Sequence, residues 1–349
     1  MIAEQASCPI AHGEHVNSPK SAPARLRLKL FDLDDGDVEI EAEAIDLDAL
    51  TERQLLWIDV EDNRADDTAG VVDRLVDRLH LDDGREALQA LDGKPTLQNY
   101  DEWFLVQVVA VACPDKLQFE GRGLALVCGR NFVVSMHRGP LEFIDELYAR
   151  EHGESRIGAL QAPSFAASLL DWHVDSYLHA VSELEAEVDR LEVSLLSSTV
   201  YHECLPELAR LRRGASRLRR MLSPHRHVFG SLARPDFRPD EDGGAEKEFL
   251  ALEQRFERAM DAVENARELV VGSFELFTTR SAQRTNETMR VLTFVTVLLG
   301  TLAVIAGAMG MNFKAPLFDS GATGFWVTVT AMGGISLVAT VLARWRKWM

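Results

Sequence analysis

Paired cysteines are absent from this chain. Its 349 residues include only four cysteines, which form no C-x-x-C pair: Cys8, Cys113, Cys128 and Cys204. Such scattered cysteines favour reduced thiols in a cytosolic environment over a disulfide-stabilised secreted fold. Residues 1–24 also lack the apolar segment of a signal peptide, so we expect a later segment to direct membrane insertion.

Motifs for catalysis and for nucleotide binding are absent as well. The part of the chain before residue 284 has no phosphate-binding glycine loop, no nucleophile–base pattern and no metal-ligand signature. The sequence therefore predicts that the protein is not an enzyme. Its acidic balance, with a net charge of −18, also argues against nucleic acid as a partner, because phosphate binding needs basic surface.

The acidic charge is confined to the first part of the chain. Six of the 37 basic residues and two of the 55 acidic residues lie from Arg284 onward, so 31 basic and 53 acidic residues give the upstream part a net charge of about −22. An acidic soluble part before a basic membrane part suits a body that gathers cations near a membrane entrance. An acidic surface that only favours solubility is the alternative.

Residues 1–24 are predicted to be a disordered tail, because they hold three prolines and few apolar side chains. Cys8, His12 and His15 follow a C-x3-H-x2-H spacing within this tail. A metal site is one interpretation of that spacing, and ordinary tail residues are the simpler one.

A cytoplasmic α/β domain is predicted for residues 25–160. Alternating or continuous apolar runs indicate strands at 25–31, 37–45, 55–60, 103–113, 123–129 and 131–137, and longer periodic segments indicate helices at 68–80, 85–91 and 141–150. Residues 129–131 are predicted to form a hairpin turn. Asp59, Glu61 and Asp62 lie near a strand end and could bind a cation, although a solvated loop is the simpler interpretation.

Residues 161–290 are predicted to form a helical stalk. Apolar residues in its first helix recur at alternating steps of three and four, which indicates a packing seam: Tyr177, Val181, Leu184, Val188, Leu191 and Leu195. This helix is acidic and the segment 205–222 is basic, so we predict antiparallel neighbours with complementary faces. Phosphate binding by the arginines of 205–222 is the alternative.

One long helix is predicted from Glu246 to Phe313, because no proline lies between Ala245 and Ala315. At ~1.5 Å per residue it would be ~100 Å long, and its uncharged last part, 291–313, reaches ~34 Å, enough for a first transmembrane helix. An extracytoplasmic loop (314–324), a second transmembrane helix (325–344) and a basic tail (345–349) follow. We expect the chain to cross the inner (plasma) membrane twice. The basic residues that flank the two spans predict that both termini lie in the cytoplasm.

One side of the first span is small or polar. Steps of three and four connect Asn286, Met289, Thr293, Thr296, Gly300, Ala303 and Gly307, and Gly310-Met311 follow. The opposite side carries Leu292, Val295, Leu298, Leu299, Leu302 and Ile305. Close helix packing and the lining of a pore both explain such a stripe, and amides at both ends, at Asn286 and Asn312, favour the pore. Two helices cannot enclose a conduit, so a pore requires a ring of subunits.

Four segments resemble the CorA family of divalent-cation channels, which includes the ZntB zinc-transporting branch: TNETMRVLT at 285–293, GMNF at 310–313, RWRKWM at 344–349 and the stalk sequence at 169–192. The resemblance implies a homopentameric funnel with a long stalk helix. It implies that Asn312 forms an outer ring that meets hydrated cations and that Gly310 and Met311 shape this ring. It also implies that Asn286 lines the inner end and that Met289 and Leu292 form a hydrophobic constriction.

We therefore expect a Mg²⁺-permeable channel, with Co²⁺ and Ni²⁺ as substitutes and with no cofactor besides the transported or regulatory cations. Amide oxygens can hydrogen-bond the water shell of Mg²⁺, which is shed reluctantly. Zn²⁺ transport of the ZntB type, with or without proton coupling, is the nearest alternative, and a non-conducting membrane-tethered sensor or scaffold is the second. The loop FKAPLFDS and Ala251 depart from the family pattern, so the sequence does not place regulatory metal sites.

Overall fold

The computed structural model describes residues 25–34, 36–41, 50–51, 53–62, 68–89, 94–100, 102–150, 161–196, 201–237, 245–311 and 321–346. The predictions for Cys8, His12 and His15, for Asn312 and for most of the loop 314–324 lie outside these residues. The chain divides into two compact units, Met1–Val270 and Val271–Met349.

A seven-stranded sheet forms the centre of the first unit. Its strands are β1 (Arg25–Asp32), β2 (Val38–Glu39), β3 (Gln54–Asp62), β4 (Thr96–Tyr100), β5 (Trp103–Asp115), β6 (Gln118–Cys128) and β7 (Phe132–Arg138). They lie in the order β2-β1-β3-β7-β6-β5-β4. All neighbours are antiparallel except β3 and β7, which are parallel and place Asp59 opposite Ser135 and Glu61 opposite His137.

Eight α-helices accompany the sheet in the described residues. They are α1 (Thr68–Leu79), α2 (Arg85–Gln89), α3 (Glu142–Arg150), α4 (Ala162–Leu196), α5 (Tyr201–Leu222), α6 (Arg226–Leu232), α7 (Glu246–Met309) and α8 (Ala322–Trp345). The predicted mixed α/β domain, the long helix and the two C-terminal apolar helices are therefore all present.

The alternation of side chains along each strand separates two hydrophobic cores. Leu56 and Ile58 of β3 point into the core that α1 and α2 cover, whereas Leu55 and Trp57 point into the larger core. The larger core also receives buried side chains from α3 to α6 and from the first part of α7. The sheet is thus covered by helices on both faces, which is why its central strands are almost continuously apolar.

Most of the predicted strands are confirmed, and one strand was missed. The 129–131 turn is confirmed, because the Gly129 amide donates to the Phe132 carbonyl at 3.0 Å. In the segment 37–45 only Val38–Glu39 forms a strand, and residues 42–49 lie outside the described part. The missed strand is β4, whose sequence TLQNY is mostly polar and half exposed. It is a strand because it pairs with β5 at the sheet edge, which sequence periodicity does not reveal.

The side chains of two histidines and a tyrosine bind the backbone of β5 where no neighbouring strand pairs with it. The pairing of β4 with β5 stops at Gln107, so the Val109 backbone has no strand beside it on that edge. Its amide donates to His225 Nε2 at 2.8 Å. Its carbonyl accepts hydrogen bonds from the Tyr177 hydroxyl at 2.7 Å and from His173 Nε2 at 2.9 Å. Side chains from the helical layer therefore satisfy backbone groups that would otherwise be buried without partners.

The predicted seam of α4 is confirmed, but the charge pairing with α5 is not as predicted. Tyr177, Val181, Leu184, Val188 and Leu195 are all buried, and α4 packs beside α5. Arginines of α5 form ion pairs with residues of α5 itself and of α7. Arg210 pairs with Glu207 of its own helix, and Arg219 pairs with Glu264 of α7 at 2.8 Å. The two helices are neighbours because of their apolar faces.

Helix α7 has 64 residues and ends at Met309, four residues before the predicted end at Phe313. The amide of Gly310 donates to the carbonyls of both Ala306 and Gly307, at 3.0 and 3.2 Å, which closes the last turn. Phe249, Leu252, Phe256, Val263 and Val270 are buried in the first unit. The periodic pattern of buried side chains ends there, because Phe274, the next predicted position, is 41% exposed.

Candidate ion-conduction site

The second unit contains two helical segments that can span a membrane. The last part of α7 and the whole of α8 are long and apolar enough to cross a bilayer, and the apolar stretch of neither is buried in the chain. Both contain threonines whose hydroxyls donate to carbonyls four residues earlier, such as Thr301 to Val297 and Thr330 to Trp326. Such bonds let a helix carry hydroxyls in an apolar environment.

The predicted small and polar stripe is exposed along its whole described length. Its members Met289 and Met311 are 57% and 52% exposed, and Leu292, the predicted constriction residue from the opposite side, is 58% exposed. The other described members are exposed as well: Asn286, Thr293, Thr296, Gly300, Ala303, Gly307 and Gly310. Leu298, Leu302 and Ile305, on the opposite side, are half buried. The aliphatic side is covered only in part, since Val295 and Leu299 are 40% and 59% exposed, whereas the small and polar side is open along its described length.

The glycines of the stripe are not required by packing within the chain. A Cβ atom built on Gly300 or Gly307 meets no heavy atom within 4 Å. At Gly310 it meets only the carbonyl oxygens of Ala306 and Gly307, at 3.5 Å, which is ordinary contact. Close packing of α7 inside a single chain therefore does not explain these glycines. Either another molecule or a passage for solvent must lie along this side.

The threonines of the stripe present oxygen rather than hydrogen to their surroundings. Thr293 donates its hydroxyl proton to the Met289 carbonyl, and Thr296 donates to the Leu292 carbonyl, each at 2.8 Å. The lone pairs of each hydroxyl oxygen remain available to accept hydrogen bonds. A column of such oxygens can bind the water shell of a cation.

The open side of α7 continues below the predicted span. Asn286 and Met289 line a shallow concavity together with Phe277, Thr278, Ser281, Ala282 and Thr285. The stripe predicted from the sequence begins at Asn286 and does not include Thr278, Ala282 or Thr285. The same three- and four-residue steps, taken downward from Met289, lead to these positions, so the periodicity could have identified them.

The mouth of the predicted path is described as far as Met311. Gly310 forms a turn after the helix, and the amide of Met311 donates to the Ala308 carbonyl at 3.3 Å. Asn312, the residue expected to form the outer ring, lies outside the described residues.

The acidic group of the α/β domain is not a solvated loop. Asp59 lies inside β3, is 1% exposed, and accepts hydrogen bonds from Arg27 Nη2 at 2.6 Å and from Ser135 Oγ at 2.5 Å. Burial by itself would raise the pKa of Asp59, but His137, Arg27 and Ser135 outweigh burial and lower this pKa. The carboxylate is thus already compensated by cationic and hydroxyl neighbours. In the described part of the chain, no group of three or more histidine, cysteine, aspartate or glutamate side chains could hold a metal ion.

With the membrane helices and their open stripe established, comparison with known proteins identifies the family. The family model described as "CorA-like Mg2+ transporter protein" matches residues 52–344. The chain belongs to this CorA-like family. The family predicted from the four sequence segments is thereby confirmed.

Two curated CorA-like relatives are similar to the chain over about two thirds of its length. The cobalt/magnesium transport protein CorA of Thermotoga maritima is 27% identical over 233 residues, which is 66% of this chain and 66% of that protein. The divalent cation transporter CmaX of Pseudomonas aeruginosa is 26% identical over 219 residues, which is 62% of this chain and 64% of that protein.

Solved structures support the CorA-like fold. The complete structure of the CorA magnesium transporter from Methanocaldococcus jannaschii superposes with a TM-score of 0.72 and 19% identity, and covers 93% of this chain and 98% of that chain. The cytoplasmic domain of ZntB from Vibrio parahaemolyticus superposes with a TM-score of 0.52 and 14% identity, over 74% of this chain and 99% of that domain. The predicted fold class is confirmed by these likenesses.

Proposed function

We propose that the protein transports divalent cations across a membrane, with Mg²⁺ as the main ion and Co²⁺ and Ni²⁺ as substitutes. The observation that carries this proposal is the open stripe of small and oxygen-bearing side chains on a membrane-length helix of a CorA-like chain. Two conditions suit such a stripe in a membrane: close contact with another protein surface, which small residues allow, and contact with water. Co-assembly around a wet axis satisfies both conditions.

The proposed assembly is a homopentamer in which the first span of each subunit faces the axis. The stripe is exposed in the single chain, and two helices cannot enclose a conduit, so several copies are required. The number five comes from the resemblance to CorA channels. The positive-inside tendency places both termini in the cytoplasm, in the inner (plasma) membrane of the cell.

Each residue of the stripe has a proposed role along the path. Asn312 forms the outer ring that hydrogen-bonds the hydrated cation, and Gly310 and Met311 shape this ring. Thr293 and Thr296 offer hydroxyl oxygens to the water shell. The small residues Gly300, Ala303 and Gly307 leave width for it. At the inner end, Asn286 lines the path and Met289 and Leu292 form the constriction.

Passive movement accounts for uptake without an enzymatic step. A divalent cation that moves inward gains ~4.6 kcal/mol per 100 mV of membrane potential, twice the value for a single charge. No nucleotide and no cofactor besides the cation itself is therefore needed, in keeping with a transporter rather than an enzyme.

Zn²⁺ transport of the ZntB type is the second candidate, because the α/β domain and the stalk resemble the ZntB cytoplasmic domain. The membrane segments contain neither histidine nor cysteine, the side chains that a dehydrated zinc ion prefers. Zinc would therefore pass with its water shell, as Mg²⁺ would. A non-conducting scaffold is the third candidate.

Flux into proteoliposomes separates these candidates. We expect Mg²⁺ influx that exceeds Zn²⁺ influx and that Asn312→Ala greatly reduces. Asn265→Ala, at an exposed position of α7 in the first unit, is the matched control and should conduct normally. Zinc influx with negligible magnesium influx would favour the second candidate, and no influx of either ion would favour the scaffold.

A further inference from the structure

Helix α5 carries a ridge of arginines that faces away from the protein. Arg213, Arg217 and Arg220 follow each other at steps of four and three, and all are exposed. They lie on the side of the helix opposite its buried stripe, which consists of Leu211, Ala215, Leu218 and Leu222. We call these three residues the arginine ridge. A ridge directed away from the core cannot reach acidic groups that lie beneath its own helix.

The arginine ridge has no ionic partner within the described part of the chain. None of its three members takes part in an ion pair or hydrogen bond there. Two arginines on other sides of the same helical layer are neutralised. Arg219 pairs with Glu264 at 2.8 Å, and Arg226 pairs with both carboxylate oxygens of Glu257 at 2.8 and 2.9 Å.

Three like charges on one ridge are unfavourable in isolation. Arg213 and Arg217 are four residues apart and Arg217 and Arg220 are three apart, the spacings at which like charges on a helix repel each other. The chain as a whole is strongly acidic, with a net charge of −18. An uncompensated basic ridge on an acidic protein indicates that an anionic surface outside the same copy of the chain binds it.

The chain itself carries a surface of the required charge and spacing on α4. Glu185 and Asp189 are four residues apart, and neither takes part in an ion pair or hydrogen bond in the described part of the chain. Asp189 is exposed and Glu185 is half buried. Both lie beside the seam that α4 buries, of which Leu184 and Val188 are members. We call Glu185 and Asp189 the acidic ridge, and Glu192 continues its spacing by three residues.

We propose that the arginine ridge of one copy of this chain pairs with the acidic ridge of a neighbouring copy. The surfaces are different on the two sides of such a contact, so the contact is heterologous, and a heterologous contact forms a ring when its rotation closes. The proposal rests on the proposed function, which needs a ring of subunits around α7. It identifies an electrostatic contact in the cytoplasmic part that selects the neighbour and fixes its position.

A charge exchange between the two ridges tests this contact. The exchanged chain combines Arg213→Glu, Arg217→Glu and Arg220→Glu with Glu185→Arg and Asp189→Arg. It should assemble with itself, because the complementarity is only inverted. The exchanged chain is then co-expressed with the wild-type full-length chain, which carries a different tag. Mixed oligomers should be at least about tenfold rarer than random mixing predicts, because the ridges of the exchanged chain repel those of the wild type. Native mass spectrometry counts the mixed species.

The controls distinguish the contact from the channel itself. The three α5 substitutions alone, or the two α4 substitutions alone, should weaken self-assembly and make it more sensitive to salt. Reversal of three exposed basic residues elsewhere, Arg74, Lys94 and Arg130, should leave random mixing intact. Random mixing of the exchanged and wild-type chains would overturn the proposed contact, while oligomers and cation flux of the wild type would leave the proposed function standing. Random mixing together with loss of bound anionic lipid from the exchanged protein would instead assign the arginine ridge to the membrane surface.

Discussion

His137 is a buried histidine with an acceptor atom near each of its two ring nitrogens. Its Nδ1 lies 2.7 Å from the Gly139 carbonyl oxygen and its Nε2 lies 3.3 Å from Asp59 Oδ1. A carbonyl only accepts, and Asp59 is kept ionised by Arg27 and Ser135, so both ring nitrogens are best satisfied when each carries a proton. The charge joins the ends of β3 and β7, where Glu61 is a further acidic neighbour. Two strands of the sheet are therefore connected through one proton.

Stability should fall as the pH rises through the pKa of His137 in the folded protein. Burial alone would lower this pKa, but Asp59, Gly139 and Glu61 raise it above the ordinary value of 6.5. The folded state then binds more protons than the unfolded state, so the stabilisation is complete below pH ~6.5 and is lost at higher pH. Thermal unfolding of the detergent-solubilised protein between pH 6 and 9 measures it. His137→Gln should flatten the profile, and an unchanged slope in this variant would contradict the assignment.

His173 and His225 should produce the opposite pH dependence. Burial lowers the pKa of His173 to about 4, and burial together with the neighbouring His173 lowers the pKa of His225 to about 3. Both are neutral in the folded protein, because His225 Nε2 accepts from the Val109 amide and the Nδ1 atom of His173 is buried without a partner. The unfolded state takes up protons first, so stability should be full above pH ~6.5 and decrease by up to roughly 1.4 kcal/mol per pH unit for each histidine below it.

Acid unfolding of His225→Gln tests that dependence. Glutamine can still accept from the Val109 amide but does not titrate, so the variant should begin at a lower stability and lose less between pH 6.5 and 4. His227→Gln, at an exposed position two residues further on, is the matched control and should keep the wild-type slope. Equal slopes for all three proteins would mean that these histidines do not control acid stability.

At the scale of elements, α7 changes its environment along its length. Its first part buries Phe249, Leu252 and Phe256 against the sheet layer, whereas its last part leaves a stripe of small residues open. The backbone of a proline-free helix is regular throughout. The difference between the two parts therefore comes from side-chain size and polarity alone.

A bulky side chain on the stripe should block conduction without destabilising the chain. Gly300→Leu and Gly307→Leu should each reduce Mg²⁺ influx at least about tenfold, because they narrow a passage that depends on pore width. The site is open in the single chain, with no heavy atom within 4 Å of a Cβ on either glycine, so expression and monomer folding should persist. Gly272→Leu, an equally open position of α7 before the apolar span, is the matched control. Normal flux in Gly300→Leu would show that the stripe does not line the path.

At the scale of the whole molecule, the exposed stripe indicates an assembly that the single chain leaves incomplete. A lipid-facing helix does not need small residues or free hydroxyl oxygens, and a helix that faces its own symmetry mates around an axis uses both. The exposed side of α7 and the unmatched ridges on α4 and α5 belong to different parts of the chain, and each requires further copies. A closed ring would satisfy the two together.

Cysteine cross-linking should detect the common axis. Gly307→Cys lies on the stripe and should form disulfide-linked dimers in membranes treated with a mild oxidant, because copies of this residue converge on the axis. Val297→Cys lies roughly 80° round the helix from Gly307 at 3.6 residues per turn. It is 63% exposed, so it offers an equally accessible thiol that should remain monomeric. Dimers from Val297→Cys with none from Gly307→Cys would place the Val297 side of α7 at the axis instead of the stripe.

Features that depend on neighbouring residues along the chain can be predicted from the sequence. The long α7, the two apolar spans and the stripe each follow from a local repeat or from the absence of charge and proline, and a helix preserves such a repeat in space. Even the extension of the stripe to Thr278 was present in that repeat.

Features that depend on partners far apart in the chain become visible only in the folded protein. The burial of Asp59 follows from Arg27 and Ser135, which lie 32 and 76 residues away. The strand β4 exists because β5 pairs with it, and the role of His225 follows from a strand edge 116 residues earlier. The sequence also led to the wrong partners for the arginines of α5, because the charge of a helix does not reveal which side its neighbours cover. Pairing and burial are set by packing in three dimensions, for which a single sequence has no local signal.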